Sequence, residues 1–262
     1  MSLRVRVASG IVCVALLAGC GGSGKSASPA TTTTVSPTTT VVPSTPRQLA
    51  ADRATARRAV LTLADLPHGF LGTPHDNSSN TPIPPPVEQQ FVTCAHIPKA
   101  LAAHLLDDKP DPTAPSVDSD DFSLPSADDK TVTQVQNNVE IHRTAHELVA
   151  AFGVLANPAT TACWRALFLA AAKEASPPGG TAALTAVTLT RRPGIGDQAA
   201  VVHVVLRLTQ GPRSENLSLA FYFVRKGRAA ISVEVSGVGT TPTRAFGESL
   251  AQRVVGRLTT VG

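Results

Sequence analysis

Three stretches in the C-terminal half alternate apolar and polar side chains with a period of two, and they leave little choice of architecture. Val202, Val204, Leu206 and Leu208 alternate with His203, Arg207 and Thr209; Leu217, Leu219, Phe221 and Phe223 alternate with Ser218 and Tyr222; Ala229, Ile231, Val233 and Val235 alternate with Ser232 and Glu234. Successive side chains on a strand point to opposite faces, so each run presents one apolar face to a core. Gln210-Gly211-Pro212-Arg213 and Arg225-Lys226-Gly227-Arg228 separate the runs. Connections this short join only antiparallel neighbours. With a further strand at 183–191, the chain reads as an antiparallel meander with one buried and one wet face. A closing helix from about Thr243 repeats Phe246, Leu250, Val254 and Leu258 at spacing four, and is expected to cover the sheet.

Upstream, residues 49–61 read as a helix that Asp65-Leu66-Pro67-His68-Gly69-Phe70 ends in a turn. Phe91 to Leu106 reads as a short helical region carrying Cys94. On either side lie a Pro-rich stretch, 72–87, and an acidic stretch, 107–129, both longer than ordinary loops and expected to be mobile insertions. Val135, Asn137, Val139 and Ile141 alternate with polar neighbours as a strand does. Thr144-Ala145-His146-Glu147 has the form of a capping box, followed by the helical stripe Leu148, Phe152, Leu155 and a stop at Pro158. A second helix then shows Trp164, Leu167, Phe168 and Ala171 on one side, and Pro177-Pro178-Gly179-Gly180 is a turn. Helix, strand, two helices, antiparallel strands, helix is the order of an α+β domain in which an antiparallel sheet packs against helices.

The first nineteen residues do not belong to that domain. Arg4 and Arg6 precede an apolar run from Val7 to Gly19, too short to span a bilayer as a mature helix and followed by Gly and Ser. Residues 1–19 therefore read as an export signal. The signal ends Leu17-Ala18-Gly19-Cys20, the form of a bacterial lipobox, in which the cysteine sulfur receives diacylglycerol and the new N-terminus a further acyl chain such as palmitate. An ordinary cleaved signal with a chance cysteine is the plainer alternative. Two or more chains anchor a protein stably where one does not, so the expectation is a lipid-anchored protein on the extracytoplasmic face of the cell membrane. Residues 20–46 follow as the lipidated cysteine and a tether: positions 21–46 hold five Ser, eight Thr, four Pro and three Gly, with no acid and no aromatic residue. Such a tract builds no core, and it reads as disordered, extending over roughly 80 Å at polyproline-like rise. The single folded domain is then 47–262.

Cysteine usage agrees with export. Cys13 leaves with the signal and Cys20 is the lipid site, so Cys94 and Cys163 remain as an even pair in an oxidising space and are expected to be bonded. Charge excludes another class. Once Arg4 and Arg6 are removed, 21 basic residues face 19 acidic ones, and no Lys/Arg run with interleaved aromatics marks a nucleic-acid surface. The balance is uneven along the chain: residues 107–129 carry eight Asp against Lys109, while 191–262 carry ten bases against four acids. A solvated acidic loop on a basic body is the simpler reading of this and a docking surface the other.

The lipobox, the Thr/Pro tether, Leu63-Ala64-Asp65-Leu66-Pro67-His68-Gly69-Phe70, Gly194-Ile195-Gly196-Asp197 ahead of the meander and the Arg225-Lys226-Gly227 hairpin before a final helix together resemble one group of proteins. These are the actinobacterial surface lipoproteins of the LpqN/LpqT type and the extracellular sensor domains of PknH-like kinases. The likeness spans most of residues 47–262. It implies a non-catalytic α/β domain at the cell envelope that meets a ligand or a protein partner. The chain departs from the kinase type in lacking a transmembrane helix, a kinase domain and a second disulfide, so signalling through its own chain is not expected.

No catalytic constellation stands out. There is no Gly-x-Ser-x-Gly elbow, Walker A loop or catalytic-cysteine context, and Gly194-x-Gly196 lacks a third glycine and opens a strand. His142 and His146 are spaced as helical neighbours but straddle a strand-to-helix junction, which reads as a surface pair. Asp118-Ser119-Asp120-Asp121-Phe122-Ser123 places Phe122 where a calcium loop needs a ligand. No metal, cofactor or enzyme activity is expected. The polar set His203, Arg207, Tyr222 and Glu234 is expected to share the wet face of the meander, with Arg207 the first candidate for an anionic ligand. The expected function is a membrane-anchored envelope lipoprotein with a non-catalytic binding domain. The alternative is a lipid or glycolipid carrier with an apolar cavity between sheet and helices.

Overall fold

A computed structural model describes residues 45–75, 85–97, 114–128, 130–174, 176 and 180–258. The export signal, Cys20, the tether up to residue 44 and the turn at 177–179 lie outside the described residues.

The first helix, α1 (Pro46–Ala59), opens with Pro46 at a position where a missing N–H costs nothing, and Thr45 caps it by accepting from the Gln48 amide. The last two residues of the expected tether therefore already belong to this helix start. After α1 the Thr62 amide and hydroxyl both donate to Asp65 Oδ2 across a single 3-10 turn, at 2.7 and 3.0 Å. Further helices are α2 (Pro85–Cys94), α3 (Ala145–Leu155), α4 (Thr161–Glu174) and α5 (Arg244–Gly256). Helix α3 begins at the expected place, but the Thr144 side chain makes no capping bond. Helix α2 starts six residues earlier than the expected Phe91 and ends at Cys94, and residues 98–106 of the expected helical region lie outside the described residues.

Eight strands form one antiparallel sheet: β1 (Leu71–Thr73), β2 (Ser116–Asp118), β3 (Asp121–Pro125), β4 (Val132–Ile141), β5 (Gly180–Arg191), β6 (Gln198–Gln210), β7 (Arg213–Lys226) and β8 (Ala229–Val238). Their order is β1-β3-β4-β8-β7-β6-β5, with β2 and β3 following each other along the same side of β4. The α+β class read from the sequence is what the chain adopts, and α5 closes it. The two stretches taken as mobile insertions are corrected where they are described, because they supply part of β1, all of β2 and β3, and the start of α2, while their residues 76–84, 107–113 and 129 lie outside the described residues. Composition misled there because the strand is held by its neighbour: Phe122 pairs with Val135 and is 2 % exposed, while the Asp residues beside it lie off that core.

The sheet carries a core on each face. Helices α2, α3 and α4 bury Phe91, Phe152, Trp164 and Phe168 against Val202, Val204, Leu219, Phe221 and Phe223. Helices α1 and α5 bury Ala56, Leu250, Ala251 and Val254 against Val135, Val139, Tyr222, Ile231 and Val233 on the opposite face. The expectation of one wet face is therefore corrected: each face has its own helical layer. The layers are offset, α4 packing on β5 and α3 on β6 and β7, whereas α1 packs on β4 and α5 on β7 and β8. Each layer leaves the diagonally opposite end of its face to polar side chains. Cys94 at the end of α2 and Cys163 in α4 form the expected disulfide, with Cα atoms 5.6 Å apart. It ties α2 to the helical pair around Trp164, whose ring lies 4.7 Å from Phe91 and 5.8 Å from Phe223.

Candidate functional site

Strand register decides which of the expected ligand residues can act together. Val202 pairs with Phe221 and Val201 with Tyr222, so the apolar phases of β6 and β7 share the α2–α4 face, and His203, Arg207 and Tyr222 share the other. On β8 the phase is reversed: Phe221 pairs with Glu234 and Tyr222 with Val233. Glu234 thus lies on the opposite side of the sheet from His203, Arg207 and Tyr222, and the four-residue set is not one surface.

Tyr222 is withdrawn altogether. It is 2 % exposed beneath α5, its hydroxyl donates to the Arg244 carbonyl at 3.1 Å, and burial pushes its phenol up to about 12. His203 is half-buried with Nε2 3.0 Å from Ser218 Oγ, and desolvation lowers its pKa, so it is neutral at physiological pH. Arg207 is exposed near the β6–β7 turn, where its Nε donates to Ser214 Oγ at 2.9 Å. His203 and Arg207 share the end of the sheet that α1 and α5 leave uncovered, yet each is engaged by a serine of β7 rather than converging on a common point.

Glu234 has different company. Across β4 it pairs with Gln136, and the same face carries Gln134 opposite Ser236 and Asn138 opposite Ser232. Gln136 is 8 % exposed and its Nε2 lies 3.4 Å from His75 Nδ1, which in turn is 2.8 Å from Asp121 Oδ1. Gln134 Oε1 accepts from Ser236 Oγ at 3.4 Å, and Asn138 Nδ2 donates to Ser116 Oγ and Asp118 Oδ1, both at 2.8 Å. The result is a polar strip running from β1 through β3 and β4 to β8, on the part of the α2–α4 face that lies beyond α3 and α4. Near its centre stands a carboxyl that no described cation pairs with. Glu234 is half-buried by exposed area, but the protein packed around its carboxyl strips away enough water that desolvation first, and the charge of Asp121 second, push it up to about 8, so it carries its proton near neutral pH. A protonated carboxyl offers a donor as well as an acceptor, and among amides and serines it can accept or give a hydrogen bond without a buried charge.

The polar phase of this strip was visible in the sequence as Gln134, Gln136, Asn138 and Glu140 alternating with the apolar residues of β4. His75 and Asp121 were not, because they lie in stretches whose composition suggests loop. One more signal was present. A two-residue connection, Gly227-Arg228, pairs Lys226 with Ala229 and so places odd-numbered residues of β7 opposite even-numbered ones of β8. That parity alone separates Glu234 from Tyr222.

The histidine pair is also corrected. His142 is 4 % exposed with Nε2 3.6 Å from Glu140 Oε2, while His146 faces solvent on α3, so the two do not form a surface pair. Among the described residues no three His, Cys, Asp or Glu side chains converge as a metal would require. Compared with known proteins, the chain matches no family model, no curated protein and no solved structure.

Proposed function

We propose that the chain is a lipid-anchored envelope lipoprotein whose folded domain is a non-catalytic binding module, and that the strip around Glu234 is where it holds a ligand or partner. The observation that carries this reading is the placement of the Glu234 carboxyl near the centre of an eight-stranded sheet, beside Gln136, Gln134 and Ser236, with no cation paired to it among the described residues; desolvation there favours its protonated form. Strand interiors bury such a group at a cost in stability, and a cost kept at one point of the sheet is what a binding site leaves behind. A ligand offering amine or guanidinium hydrogens suits it, since a cation seated there would favour release of the Glu234 proton to solvent and would pair with the resulting carboxylate, with the negative charge of Asp121 adding to the attraction. The anchor part of the reading rests on Leu17-Ala18-Gly19-Cys20 and on the Thr/Pro tract that would hold the domain off the membrane. A lipid carrier is less favoured, because the space between sheet and α2–α4 is occupied by stacked rings: Trp164 on Phe168 and Phe168 on Phe221, at 5.9 and 5.6 Å.

The test is a photo-reactive residue at Ser232 in the full lipoprotein on intact cells. A discrete adduct is expected, lost when Glu234→Ala is added and absent from a probe at Arg213 on the far hairpin. An identical adduct from both probes, or none from Ser232, overturns the site. Cys20→Ala tests the anchor separately: it should shift the protein out of the detergent phase, and retention there at wild-type mass overturns the lipid assignment.

A further inference from the structure

The two edges of the sheet are built differently. At one end β1 is three residues long, and so short an edge offers a neighbouring chain almost no ladder. At the other, β5 runs for twelve residues, and among the described residues no strand pairs with its outer side. Edges of this length are ordinarily blunted by Lys, Pro or an inward-pointing charge. Between Gly180 and Thr190 there is none of these, the only interruption being the register shift between Leu184 and Ala186.

The direction of each peptide group follows from one bond. The Arg192 amide donates to the Ala199 carbonyl at 2.9 Å, so it faces β6. Peptide groups alternate along a strand, which turns those of Thr190 and Thr188 toward β6 and those of Leu189 and Val187 outward. Past the register shift the Ala182 amide also points away from β6, where Ser176 Oγ accepts it at 3.2 Å. The N-terminal part of the edge is therefore occupied by Ser176, and the open part begins at Val187.

We propose that this open part of β5 pairs antiparallel with β5 of a second copy of the chain, joining two sheets through the outward main-chain groups of Val187 and Leu189. The side chains suit a two-fold axis near Thr188. Leu184, Val187 and Leu189 are half-buried against the core on the α4 side, whereas Thr185, Thr188 and Thr190 are exposed on the other. A second copy sets Val187 against Leu189 on one face and Thr188 against Thr188 on the other, with Ala186 opposite Thr190, and the aliphatic and threonine pairs are favourable across strands. Charge selects the orientation. The first charge on the strand is Arg191, which an antiparallel two-fold places at opposite ends of the junction and a parallel pairing would set side by side. The contact is isologous and closes at two copies. It is also small, so the dimer belongs to the weak class. It draws nothing from the polar strip, because β5 is the edge farthest from β3 and β4.

The experiment uses the full lipoprotein in its membrane. At the axis Thr188 faces its own copy as a non-hydrogen-bonded pair with Cα atoms about 4.5 Å apart, within reach of a disulfide. Thr188→Cys should give a disulfide dimer of this chain on mild oxidation, and Thr181→Cys, on the same face beyond the Ser176 contact, should not. Adding Val187→Pro to Thr188→Cys should abolish the dimer, since proline is tolerated on an outer edge but gives no outward N–H. In detergent, sedimentation should show wild type associating reversibly and Thr188→Asp as monomer with an unchanged Tm. Monomeric wild type at all concentrations, equal crosslinking from Thr188→Cys and Thr181→Cys, or a Thr188→Cys disulfide to a different protein in place of the dimer would each overturn self-pairing.

Discussion

Replacing Glu234 with Gln isolates a carboxyl that the fold keeps protonated near neutral pH. Its folded pKa is pushed up to about 8, chiefly by burial, against 4.5 for an ordinary Glu. The folded chain therefore holds a proton that the unfolded chain has released throughout that window. For an acid raised in this way, the stabilising contribution is complete below pH 4.5 and is lost as pH climbs to about 8. At about 1.4 kcal/mol per unit, wild type should lose on the order of 4 kcal/mol between about pH 5 and pH 8 from this group alone. Gln has the shape of the protonated side chain and no proton to lose. The variant should match wild type near pH 5 and be more stable by up to that amount near pH 8. Asp65 and Asp197, both held below the usual carboxylate range, and His203, held below the usual imidazole range, titrate alike in both chains and cancel in the difference. Urea unfolding at several pH values, read as a shift in midpoint at constant slope, measures it. A stability difference that stays flat from pH 5 to pH 8, or that favours wild type at the alkaline end, would refute the protonated-carboxyl argument.

Two further outcomes test the packing. Cys94→Ser opens a loop spanning 69 residues of separation and should lower stability by roughly 4 kcal/mol in the chain-entropy model, seen as an earlier urea midpoint under oxidising conditions with no such loss when both chains are compared reduced. Gly247→Ala would place a Cβ 2.3 Å from Tyr222 Cε2, so α5 must lift off the sheet at a cost of about 1–3 kcal/mol, whereas Gly153→Ala on the exposed side of α3 meets nothing within 4 Å and should be neutral or stabilising by up to about 1 kcal/mol; equal Tm changes for the two would contradict the close approach of α5.

What the sequence determined by itself was whatever a short window of side chains controls. Alternation in β6, β7 and β8 named the strands, the two-residue turns made them antiparallel, and Phe246, Leu250 and Val254 named the helix that covers them. Cys94 and Cys163 were paired by compartment and parity, before any geometry. Tertiary structure decided the rest, and for one reason: the chain builds two cores rather than one. A period of two states which residues share a face within a strand, but it does not say which helical layer that face meets. Phe221 faces α4 while Ile231 and Val233 on the next strand face α1 and α5, so Tyr222, read as polar, is buried under α5 and Glu234 emerges on the other side. His75 and Asp121 became neighbours only because β1 and β3 add to the β4 edge, a long-range pairing between stretches whose own composition argues for loops. The strip around Glu234 is therefore a property of register and layer offset, which no single stretch of sequence contains.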